Sequence, residues 1–135
     1  MYSNILVPVV VDEEAKTHTA IKAAIAMADP GARITLLHVL ETIPVYVSDY
    51  VPADYMLTAR ESVVKRLDDL ASEIPNGHAA IADGRPGPRI TRWADENGID
   101  CIVIASHQPA LSDILLGSVA GHVVRHAKSA VHVVR

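Results

Sequence analysis

The chain has no phenylalanine, one tryptophan and one cysteine among its 135 residues. Half of it is nonetheless hydrophobic, so its core must be built from Ile, Leu, Val and Ala rather than from aromatic rings. The lone Cys101 excludes an intrachain disulfide and fits a reducing compartment. No block of five like charges occurs, which excludes a charged tail, and the formal net charge of −4 argues against a nucleic-acid partner. No apolar run approaches the ~20 residues that span a bilayer. The opening MYSNILVPVVVDEE has no cationic leader, and its apolar run stops at Asp12, so it does not read as a secretory signal. The expectation is a cytoplasmic protein of one domain, 1–135, with no membrane or nucleic-acid partner. Three nucleotide and catalytic signatures are missing as well: the Gly-x-x-x-x-Gly-Lys-Ser/Thr phosphate loop, a Gly-x-Gly-x-x-Gly after the first strand, and a Gly-x-Ser-x-Gly elbow.

What is present alternates between two periods. NILVPVVV is a continuous valine-rich run of the kind found in strands buried on both faces. From Thr17 to Asp29 the residues Ile21, Ala24, Ile25 and Ala28 recur at helical spacing, and Asp29-Pro30-Gly31 predicts a stop. RITLLHVL reads as a second strand. Glu41 to Tyr55, with Pro44, Pro52 and three tyrosines, reads as a long loop. Met56, Val63, Leu67, Leu70 and Ile74 form the stripe of an amphipathic helix ended by Pro75-Asn76-Gly77. HAAIADG is a weaker strand, expected at an edge. Pro88 suits a first helical position, with Ile90, Trp93 and Ala94 facing inward and Gly98 as the stop. DCIVIAS is the fourth strand, GSVAGHVVRHA a short helix and AVHVVR the last strand. Strands alternating with helices predict an α/β protein, an open doubly wound five-stranded parallel sheet with helices on both faces. The common strand order is 3-2-1-4-5, and ligands bind where strands 1 and 4 splay apart at their C-terminal ends.

That rule selects residues before any motif does: Val10, Val11 and Asp12 after strand 1, Val39 to Glu41 after strand 2, and Ala105 to Ser118 after strand 4. Gly117 allows close backbone approach. Ser118 stands where a helix begins, and the N–H groups of Ser118, Val119 and Ala120 suit an anion. The same Gly-Ser pair is also what a plain helix cap looks like. Ser106, His107 and Gln108 offer polar side chains for a ribose or phosphate, although an ordinary polar turn stiffened by Pro109 has the same sequence. Asp12-Glu13-Glu14 could serve Mg²⁺ beside phosphates or simply begin a helix. His122 and His126, at i and i+4, have metal-ligand spacing but no local carboxylate or cysteine, and a solvated face explains them better. His38 and His132 interrupt apolar strands, as core or interface histidines do. Cys101 reads as an inert small hydrophobe.

Several stretches together resemble the universal stress protein family: ILVPV, ITLLHV, GRPGPRI, DCIVIASH and, most specifically, LLGSVAGHVVRHAKSAVHVVR. The resemblance covers nearly the whole chain. It implies a Rossmann-like domain of the adenine nucleotide alpha hydrolase type. In ATP-binding members a Gly-x-x-Gly is followed nine residues later by Gly-Ser or Gly-Thr. Gly117-Ser118 matches the end of that motif, while Ala105 and Gln108 stand where the first glycines are expected. ASHQP is similar to the ASHRP form of a small single-domain enterobacterial branch. The resemblance implies adenine near Val39, in a site including Pro8, Val9, Val10 and Asp12, ribose near Ala105, and phosphates near Ser106, His107, Gln108, Gly117, Ser118 and Val119. Val10 stands where the family usually has Asp. Pro109 contributes no N–H, so fewer main-chain donors face a phosphate here than in the glycine-rich form.

The expected function is an adenine-nucleotide-binding (ATP, or AMP or ADP, with Mg²⁺ as a companion) stress-response protein without efficient catalysis. It is expected to form a homodimer through strand 5, Ala130–Val134. A nucleotide-free regulatory dimer acting through partner contacts, and a weak ATP hydrolase, are the alternatives.

Overall fold

A computed structural model of the chain describes residues 1–10, 14–41, 50, 52–106 and 116–135. Among these residues nine elements follow in order: β1 (Tyr2–Pro8), α1 (Glu14–Met27), β2 (Ala28–Leu40), α2 (Ala53–Ser72), β3 (Gly77–Asp83), α3 (Pro86–Glu96), β4 (Cys101–Ala105), α4 (Ser118–His126) and β5 (Ala130–Val134). The strands make one sheet in the order β3-β2-β1-β4-β5, and all four pairings are parallel. The expected topology is therefore the observed one, with β3 and β5 at the edges.

Side-chain alternation along the strands divides the core into two layers. Ile5 and Val7 of β1, Ile34 and Leu36 of β2, and Cys101 and Val103 of β4 pack with Ala20, Ile21 and Ala24 of α1 and Leu67 and Ala71 of α2. Leu6, Leu37, Ile102 and Ile104 point the other way, onto Ile90 and Ala94 of α3 and Ala120 and Val123 of α4. Ile5, Leu6 and Val7 are fully buried, as a central strand covered on both faces requires. Cys101 lies in this interior; burial first, and the neighbouring Asp100 charge second, push its thiol pKa up, so it stays protonated and unreactive.

Several boundaries differ from the expectation. The first helix runs from Glu14 to Met27, and Ala28 belongs to β2. Ile25 is exposed; in a helix so rich in alanine the apolar stripe is defined by Ala20, Ile21 and Ala24. β1 ends at Pro8 rather than running to Val11. The stretch read as a loop to Tyr55 contains the start of α2, because Pro52, at φ −58° and ψ 138°, serves as its N-cap. In α3, Pro86 rather than Pro88 takes the first helical position, where its missing N–H costs nothing. Trp93 is only partly buried, against the second layer.

Candidate functional site

Where β1 and β4 part, the structure leaves a chamber of about 240 Å³ at the C-terminal ends of the strands. Its walls come from both layers. Pro8 ends β1, and Val9 and Val10 follow it; Leu37, His38 and Val39 lie near the end of β2, before Leu40; Ile104 and Ala105 end β4. Lys16, Thr17 and Ala20 close it from α1, Pro86 and Ile90 from α3, and Gly117, Ser118, Val119 and Ala120 from α4. The lining is mostly apolar with a few convergent polar groups, as in small-molecule sites generally.

The backbone at Val39 is arranged for recognition. Val9 N–H donates to the Leu37 carbonyl at 2.9 Å, and Gly84 N–H to the Leu40 carbonyl at 2.9 Å. Leu37 thus turns its peptide groups to the β1 side and Leu40 to the β3 side. By strand alternation Val39 turns to the β1 side, and β1 has already ended at Pro8, the partner of Leu37. The Val39 N–H and C=O therefore face the crevice.

α4 begins with its amides uncapped by its own N-cap residue. Gly121 N–H donates to the Gly117 carbonyl at 2.7 Å, which makes Gly117 the N-cap. Glycine has no side chain to bond the following amides, and Ser118 stands one position too late to act as the N-cap. Gly117 is thus the cap that the Gly-Ser pair suggested, but one without a side chain over the following amides. Gly117, Ser118 and Val119 all line the chamber.

Eight of the expected site residues meet in this chamber: Pro8, Val9, Val10, Val39, Ala105, Gly117, Ser118 and Val119. Ser106 does not line it. It is buried, and its backbone is committed: its N–H donates to the Val134 carbonyl at 2.8 Å, and its own carbonyl accepts from Lys16 Nζ at 2.9 Å. Asp12, His107 and Gln108 lie outside the described residues.

Sequence reading missed Lys16 and His38, while Glu41, which it placed beside the crevice, does line the chamber. Lys16 belongs to the first turn of the helix that follows the splayed strand, and that position was the available signal. His38, read as a core or interface histidine, lies on the chamber wall. Its Nδ1 is 3.1 Å from the Val9 carbonyl; since a carbonyl only accepts, Nδ1 is the donor in that hydrogen bond. Glu14, considered as a metal ligand, instead pairs with Arg66 of α2. His122 and His126 stack with ring centroids 4.3 Å apart, and among the described residues no group of three His, Cys, Asp or Glu could hold a metal ion. Burial, then the neighbouring His126, Arg125 and Arg85, lower the His122 pKa.

A parallel sheet in this order, with a ligand-sized opening where the strands reverse, defines a Rossmann-like α/β protein. The model of the Universal stress protein family matches residues 1–135, and the chain belongs to that family. It is 32% identical over 142 residues to universal stress protein G of Escherichia coli O157:H7, covering all of both chains. Among solved structures it is similar to universal stress protein UspA from Lactobacillus plantarum, with a TM-score of 0.74 at 26% identity, covering 99% of this chain and 98% of the other. A universal stress protein solved in complex with cAMP shares the fold, with a TM-score of 0.70 at 21% identity and coverage of 99% and 97%.

Proposed function

We propose that this chain is a cytoplasmic regulatory protein that holds an adenine nucleotide, ATP before AMP or ADP, without turning it over efficiently. The observation that carries the reading is the glycine N-cap of α4 on the chamber wall: the N-cap residue itself has no side chain to bond the first amides of that helix. A phosphate there meets N–H donors and the positive end of the helix dipole. The apolar walls suit a purine, and the crevice-facing N–H and C=O of Val39 suit its hydrogen-bonding edge. The relative solved with cAMP supports the ligand class. Glu41 is the one carboxylate among the described residues of the chamber, so these residues alone make no cage for Mg²⁺. It is proposed only as a companion of the phosphates, on which it keeps most of its waters.

The absence of efficient catalysis is read from the groups at hand. The Cys101 thiol is buried and protonated, and Lys16 is engaged with a carbonyl. No described side chain in the chamber pairs a nucleophile with a base.

Identification by mass spectrometry of nucleotide retained after purification tests the reading. Gly117→Val is expected to abolish retention while leaving the fold intact, because it places a branched side chain at the chamber wall. Unchanged binding by calorimetry would refute the phosphate assignment.

The reading includes a homodimer. Among the described residues β5 pairs with β4 alone, and Val131, Val133 and Val134 are half-buried along this edge strand. Such an edge invites pairing, here with a second copy. Sedimentation at micromolar concentration is expected to give a dimer; a monomer there rejects it.

A further inference from the structure

A second compartment, about 410 Å³, adjoins the chamber. The two share Glu41, Pro86, Ser118 and Val119 as walls, so a ligand bound in the first at α4's start has the second directly beyond it. The chamber is largely apolar. The second compartment instead brings together two basic side chains from separate helices: Arg85, the N-cap of α3, and His122, in the second turn of α4. Pro86 and Pro88 carry no N–H, so the start of α3 contributes its arginine rather than a row of amides.

The placement of His122 is imposed. A Cβ on Gly87 would stand 2.9–3.0 Å from three atoms of the His122 side chain, closer than packing tolerates. Glycine at 87 is what lets the ring lie against the backbone of α3. The charged and titratable groups around that ring are Arg85 from α3's start, Arg125 and His126 from α4, and Glu41 from the end of β2. Cations dominate this set, and burial first, with their field second, lowers the His122 pKa.

We propose that this second compartment receives the terminal phosphates of a nucleoside polyphosphate whose base occupies the first chamber, with Arg85 and His122 as the residues that grip them. The inference rests on the nucleotide reading above and adds a selectivity to it: triphosphate over monophosphate. A guanidinium matches phosphate oxygens with two parallel hydrogen bonds. A neutral imidazole can donate one more, and a dianionic phosphate beside it draws on the protonated form.

The experiment follows the His122 ring by NMR across pH, in the intact protein, with adenosine, AMP, ATP and inorganic tripolyphosphate as separate probes. ATP and tripolyphosphate are expected to raise the His122 pKa, and adenosine to leave it unchanged. The sign follows from linkage: an anion that binds better to imidazolium raises that pKa, and its own binding tightens as pH falls through it. Replacing both residues, Arg85→Gln with His122→Gln, is expected to weaken ATP about ten-fold, the loss of charge-assisted hydrogen bonds, and to leave AMP unchanged. A His122 ring unmoved by both ATP and tripolyphosphate, or a double variant that weakens AMP as much as ATP, overturns the proposal. Adenosine failing to bind at all would count against the first chamber instead. The tripolyphosphate titration reads the second compartment without it.

Discussion

Gly77→Ala is expected to lower the unfolding free energy by about 2–3 kcal/mol, a cost typical of forcing extra atoms into a packed interior. A Cβ at this position would stand 2.3 Å from the Ala71 carbonyl oxygen and 2.8 Å from Ile74 Cβ. Neither can move aside cheaply. The Ala71 carbonyl accepts from Ile74 N–H at 3.0 Å, and the Ile74 carbonyl from Gly77 N–H at 3.0 Å, so both anchor the turn that carries α2 into β3. Gly77 does not need unusual backbone angles; its neighbour Asn76 takes the left-handed conformation, at φ 52°. What the position needs is the absence of a side chain. Gly98→Ala supplies the contrast. Gly98 has φ +63° with nothing within 4 Å of a built Cβ, so its cost is backbone strain alone, about 1 kcal/mol. Urea unfolding of the two variants checks the ranking, with a lower midpoint for Gly77→Ala and an unchanged slope. Equal losses would show that the end of α2 relaxes around the methyl group.

The turn at Gly77 also shows how far the sequence could be read. Pro75-Asn76-Gly77 announces a stop, and the stop is there. Which of its residues bears the strained backbone and which the steric demand depends on how closely α2 lies over β3, a tertiary quantity. The strands were legible because burial on both faces erases the polar alternation and leaves runs such as ILV, TLL and CIVIA. Their order followed from strands alternating with helices and from the topology rules for parallel sheets. The start of α2 was not legible. Proline and tyrosine around it signal a loop, and only the structure shows that Pro52 caps a helix. The site divides in the same way. Residues at the ends of β1, β2 and β4 were found by the rule that ligands bind where strand order reverses. Lys16 and His38 act on the crevice through side chains whose reach depends on how α1 and β2 pack against β4 and β1. Ser106 shows the converse. Its position in the sequence is right, but its peptide groups are taken by Val134 and Lys16.

Lys16→Met should produce the largest change in ligand binding of any single substitution in the chamber that spares the backbone. The ammonium is half-buried on the chamber wall and spends one hydrogen bond on the Ser106 carbonyl, which leaves two of its three donors for a ligand. No Lys or Arg occurs between Ala105 and Ser118, and Pro109 removes a further amide donor from that stretch. On the proposed nucleotide reading, Lys16 is the cation that α1 brings to the chamber. Hydrogen bonds to charged groups contribute about 1.5–3 kcal/mol, so ATP affinity should fall by roughly 10- to 100-fold. Methionine keeps most of the side-chain length and apolar stem, so adenosine, which carries no phosphate, should bind as before. Arginine at the same position should restore much of the ATP affinity, because the charge returns. Calorimetry at two salt concentrations separates the roles. If Lys16 meets the phosphate, the wild type loses more ATP affinity than the methionine variant as salt rises. If Lys16 only clasps α1 to β4, adenosine and ATP will weaken together in Lys16→Met and the salt dependence will be unchanged. That result would leave the phosphates to the first amides of α4 and, in the second compartment, to Arg85 and His122.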